Sequence, residues 1–116
     1  MTLLARVLEE AHGDVAVAII EGEIDASNAP EIRTRLRSLL TNRSQALVVD
    51  LTPTRYLDSA AINLLFELDG ELGQRQQQLH VVVAPTSPIA RALTITGLAS
   101  AVATHPTRDA ALEQAR

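Results

Sequence analysis

Apolar positions along the chain change their repeat from two to about four residues and back again, and those changes mark out the elements. Val15 to Ile24 is rich in Val and Ile and reads as a strand, with Gly22 marking a bulge. Leu47, Val48 and Val49 form a short continuous run that ends at Asp50, the pattern of a strand buried on both faces, drawn here as Ala46–Leu51. Leu79–Ala84 repeats that pattern, and Ala101–Thr104 is a weaker version of it. Between the strands the spacing turns helical. Ile32, Leu36, Leu39 and Leu40 line one face after a start at Asn28-Ala29-Pro30-Glu31, where Asn28 is placed to cap and Glu31 to complete a capping box. Ile62, Leu65, Phe66 and Leu72, widened by Leu64 and Leu68, define a second helix from about Ser59 to Gln76. Ser87-Pro88 opens a third over Ile89–Thr96, which Gly97 stops, and Thr107 caps a last helix running to the C-terminus.

Residues 3–11 are ambiguous, since Leu3, Leu4, Val7 and Leu8 also suit a helix, and His12-Gly13-Asp14 reads as a turn. Taking that segment as a strand, the order is strand, strand, helix, then three strand–helix repeats. This is an α/β chain with a mixed, mostly parallel sheet of about five strands and four helices, the opening pair forming a hairpin. The 116 residues suit a single domain, 1–116, with neither an internal repeat nor a linker.

Composition narrows the function. Hydrophobic content of 47% against 21% charged is that of a packed globular chain. There is no cysteine, which excludes disulfides, zinc–thiolate sites and thiol catalysis. No apolar run approaches the roughly 18 residues of a membrane span, and Glu9 and Glu10 interrupt the N-terminal stretch where a secretory signal needs an apolar core, so a cytoplasmic location is expected. A net charge of −4 argues against general nucleic-acid binding. All ten basic residues are Arg, and Arg33, Arg35, Arg37 and Arg43 read as a solvated helix face, with Glu31 four residues before Arg35. His12, His80 and His105 have no ligand spacing, the glycines form no phosphate loop, and no nucleophile elbow surrounds Ser59. Neither catalysis nor a cofactor or metal is expected.

The stretch Ala46–Leu65 carries the most information. A strand ends at Asp50, a turn holds Pro53, and Tyr56-Leu57-Asp58-Ser59 leads straight into a helix whose N-terminus attracts anions. Three segments, in order, resemble the STAS domain of anti-sigma-factor antagonists. They are Gly22-Glu23-Ile24-Asp25, then Val48-Val49-Asp50-Leu51 with Tyr56-Leu57-Asp58-Ser59, and finally Leu93-Thr94-Ile95-Thr96-Gly97-Leu98. The resemblance implies a regulatory module that binds an anti-sigma kinase and is switched by phosphorylation of the hydroxyl after the Asp-Ser pair. Asp25, Asp58 and Asp50 would supply the acidic surroundings that make a phosphate repulsive. Here the acceptor position is Ala60 and the glycine after it is Ala61. At about 100° per residue Ser59 faces elsewhere, and is read as a local cap or loop hydrogen-bonder before it is read as a replacement phosphosite. Partner contacts are expected at Asp25, Asp58, Ser59, Ala60, Ala61 and Asn63. The resemblance also leaves open a homodimer, and a role as a STAS subunit of a lipid-transport ATPase or another unphosphorylated adaptor. Nucleotide binding is a weaker reading, with phosphate held at the helix starts Ser59–Ala61 and Ser87–Ile89.

Overall fold

A computed structural model describes residues 4–115. Leu3, the first apolar position of the ambiguous opening segment, lies outside the described residues. The rest of that segment is β1 (Ala5–His12), which turns through Gly13-Asp14 into β2 (Val15–Ile24) as an antiparallel hairpin, His12 pairing with Val15 and Ala5 with Gly22. The chain continues through α1 (Ala29–Ser38), β3 (Ala46–Asp50), β4 (Thr54–Leu57), α2 (Ser59–Gln74), β5 (Gln78–Val82), α3 (Pro88–Ile95), α4 (Leu98–Ala101), β6 (Ala103–His105) and α5 (Arg108–Ala115). The sheet order is β1-β2-β3-β5-β6, parallel beyond the first hairpin, with β4 paired in parallel to the far end of β2.

Among the described residues the sheet therefore has six strands, and there are five helices. The extra strand is β4, read from sequence as part of the Pro53 turn. Its four residues have no apolar run, and they pair only because β2 outlasts β3. The extra helix, α4, lies just before the expected weak strand Ala101–Thr104 and takes its first residue, so β6 begins later, at Ala103, and has three residues. Gly97 supplies the left-handed residue (φ +84°) that ends α3 and opens α4.

Helices α1 to α4 cover one face, over Ala18, Ile20, Leu47, Val49, Val81 and the inward residues of α2. Among the described residues helix α5 alone covers the other, setting Ala111, Leu112 and Ala115 against Val17, Val48 and Val82. Burial of β3 on both sides is why its sequence is continuously apolar up to Asp50. Asp50 points to the α5 face, where its carboxylate accepts from Arg108 Nε at 3.1 Å and from the Thr52 N–H at 2.9 Å. It therefore does not join Asp25 and Asp58, contrary to the expectation from sequence. The same face brings together two histidines that lie far apart in the chain. His80 Nε2 donates to Gln78 Oε1 at 2.9 Å, leaving His80 Nδ1 to accept from His105 Nε2 at 2.9 Å. Among the described residues no group of three or more His, Cys, Asp or Glu is disposed to hold a metal, and no helix is long and apolar enough to cross a membrane.

Candidate functional site

Two chain reversals meet at the C-terminal ends of β2 and β4, and both are held by aspartates. Asp58 is the N-cap of α2: extended at φ −111°, its Oδ1 accepts from the N–H groups of Ala60 (2.9 Å) and Ala61 (3.2 Å). Its own N–H donates to Ile24 O at 3.2 Å, which fixes the start of α2 to the end of β2. One residue further, Asp25 begins the turn into α1. Its Oδ1 accepts from the Ser27 N–H at 2.8 Å and from the Ser27 hydroxyl, and these bonds hold the carboxyl below the usual carboxylate range.

Asn28 does not cap α1 as the capping-box reading required. Its amide instead closes the turn, Oδ1 accepting from Asp25 N and Nδ2 donating to Glu23 O, both at 2.9 Å. With the Asp25 carbonyl accepting from Asn28 and Ala29, the Gly22-Glu23-Ile24-Asp25 segment becomes a rigid bracket for α1. Gly22 has a physical reason to be glycine. Its φ is +105°, the ladder slips between Gly22 and Glu23, and a Cβ there would lie 2.2 Å from Leu4 O.

The first turns of α1 and α2 border an open hollow of about 520 Å³ lined by Ala26, Ala29, Pro30, Ala60, Asn63 and Leu64, with Arg33, Arg37 and Glu67 further along. Residue 60 is thus half-buried at a surface hollow and reachable from outside. Asn63 and Ser59 are exposed, and Asp25 and Asp58 half-buried beside them. Ala61 is different: at 1% exposure it packs into the core, so it offers a partner nothing, correcting the sequence expectation. Ser59 is the first helical residue and the cap belongs to Asp58, so its reading as a local cap is also corrected. The Asp58 carboxylate already occupies two free N–H groups of α2, and Ser87 accepts from Ala90 N at α3. Neither helix start is an open phosphate cradle.

Sequence reasoning missed the arginines. Arg33 and Arg37, one helical turn apart on α1, converge on Glu71 of α2, and Arg33 also meets Glu67. Arg37 Nε donates to Glu71 Oε2 at 2.7 Å, and this bond with those from Arg33 holds the Glu71 carboxyl below its ordinary range. Arg35 turns the other way, pairing with Glu9 of β1 at 2.6 Å, so the ion pair expected with Glu31 is replaced. The signal was present in matched four-residue spacings, Arg33/Arg37 on one helix and Glu67/Glu71 on the other.

The family described as STAS domain matches residues 6–111 of this chain. An anti-sigma-B factor antagonist of Listeria monocytogenes is 33% identical over 91 residues, covering 78% of this chain and 76% of that protein. The anti-sigma-F factor antagonist RsfB of Mycobacterium tuberculosis is 31% identical over 87 residues, 75% of this chain and 70% of that one. Among solved structures, the crystal structure of an anti-sigma factor antagonist from Mycobacterium paratuberculosis superposes with a TM-score of 0.86 at 29% identity, spanning 97% of this chain and 94% of the other.

Proposed function

This chain belongs to the STAS domain family, and from that membership we propose that it is an anti-sigma-factor antagonist that docks on an anti-sigma kinase without a phosphate switch at residue 60. The docking surface is the tip formed by the Asp25 turn and the first turn of α2, through Asp25, Asp58, Ser59, Ala60 and Asn63. The reading rests above all on Ala60. It stands where the family pattern has the phospho-acceptor, it borders an accessible hollow, and its methyl group has no oxygen to esterify.

The neighbourhood explains what such a switch would do and what its loss means. A phosphate would add about −1.5 to −2 charges at a position whose backbone N–H is already bonded to the Asp58 carboxylate. Charge and bulk would then oppose docking. With alanine the tip stays neutral at that point, and the protein remains competent to bind whatever the kinase activity of its partner. In this reading Ser59, the first residue of α2, does not replace the acceptor.

The test uses the purified chain and the anti-sigma kinases of the same cell. The parent protein is expected to bind one of them in the presence of ATP and to take up no phosphate. The Ala60→Ser variant is expected to bind, become phosphorylated on the new hydroxyl and then dissociate. Failure of both proteins to bind any of those kinases overturns the proposal, as does phosphate appearing on Ser59 of the parent.

A further inference from the structure

The sheet ends on one side in β1, whose only strand partner among the described residues is β2. Leu4 O accepts from Glu23 N, and the register then makes Leu4, Arg6, Leu8, Glu10 and His12 the residues that exchange hydrogen bonds with β2. The N–H and C=O groups of Ala5, Val7, Glu9 and Ala11 consequently point away from the sheet, along a free edge. Side chains alternate as well. Glu9 reaches Arg35 on the α1 face, and Glu10 reaches Arg108 on the α5 face at 3.0 Å. On that second face Leu4 and Leu8 are each 39% exposed, and α5 does not extend over them.

An unpaired edge of this length is a template for another strand. Which strand fits is decided by charge. When two copies of β1 pair antiparallel about a two-fold axis, the residue on the axis fixes every other contact. An axis at Arg6, Glu9 or Glu10 sets that residue against its own copy, like charge on like charge. An axis at Val7 puts Arg6 against Leu8 and Ala5 against Glu9, with no opposite charges in register. An axis at Leu8 sets Leu8 against Leu8, and Arg6 against Glu10 of the second copy, twice by symmetry.

In that register the outward groups of Val7 and Glu9 bond each other, as do those of Ala5 and Ala11. Arg6 and Glu10 fall in the pairs without backbone bonds, where facing Cα atoms come to about 4.5 Å and side chains interact most closely. Within its own hairpin Arg6 lies opposite Glu21 but makes no ion pair among the described residues. We propose that β1 is a self-pairing edge, through which two copies of this chain join their sheets about a two-fold axis at Leu8. Being confined to one strand edge, the contact is small, and the dimer is a weak, concentration-dependent one.

The proposal stands apart from the kinase-docking tip and is tested without any partner. Sedimentation of the full chain is expected to show reversible dimers that grow with concentration up to about 1 mM. Arg6→Glu alone, and Glu10→Arg alone, are each expected to weaken self-association by at least tenfold, since each sets like charges opposite. An equimolar mixture of the two variants is expected to recover it, because both cross-strand pairs are then opposite in sign. Circular dichroism checks that each variant is folded. Leu8→Cys, the sole thiol in such a chain, is expected to give a disulfide-linked dimer under mild oxidation. A chain that stays monomeric throughout, or dimers indifferent to both charge reversals, or a mixture no more associated than its components, overturns the proposal.

Discussion

Asp58 does two jobs with one side chain. It satisfies two N–H groups that the start of any helix leaves without an intrahelical partner, and it places a carboxylate beside residue 60. The roles separate by substitution. Asp58→Ala is expected to lower folding stability by about 1 kcal/mol in urea denaturation, whereas Asp58→Asn keeps most of the cap and costs less. Ala61, one position further on, shows how sharply a helix divides its residues. A rotation of about 100° carries the side chain from the rim of the hollow into the core.

At the level of elements, the site depends on the end of β2 being crossed by two turns at once. That crossing is possible because Gly22 adopts φ +105° and lets Leu4 O approach where a side chain would stand. Gly22→Ala is expected to cost about 1–3 kcal/mol, read as a lower urea midpoint, through backbone strain and the clash together. Loss of the Leu4–Glu23 bond should follow, seen as faster amide exchange at Glu23. Glu71 of α2 accepts from both Arg33 and Arg37 of α1, which ties together the two helices that border the hollow. Exposed pairs of this kind contribute little to stability, about 0–1 kcal/mol, and their role is geometric.

For the molecule as a whole, the α5 side holds the groups most sensitive to acid. His80 is 5% exposed, and burial pushes the pKa of both His80 and His105 down, with the neighbouring His105 lowering that of His80 further. Both rings are neutral in the native hydrogen-bonded chain, which runs from His105 through His80 to Gln78. The unfolded chain protonates first as pH falls past the ordinary value of 6.5, so it binds more protons than the native state below that point. Stability from this pair is therefore complete above about pH 7 and declines as pH drops through 6.5 toward the lowered native values. Urea midpoints at pH 7.5 and pH 5.5 are expected to differ in that sense, and the difference should shrink in a His80→Leu, His105→Leu double variant.

The sequence alone determined the alternation of strands and helices, the three family motifs and the missing oxygen at residue 60. Each of those is encoded locally, in a run of apolar residues, a spacing or a single side chain. Sequence left β4 inside a turn and gave no sign of α4, because four-residue elements are set by what they pair with and carry no period of their own. It likewise could not foresee that Asn28 would brace a turn, that Asp50 would face α5, or that His80 would meet His105 across 25 positions. Those contacts join residues remote in the chain, and only the order of strands in the folded sheet brings such partners within reach.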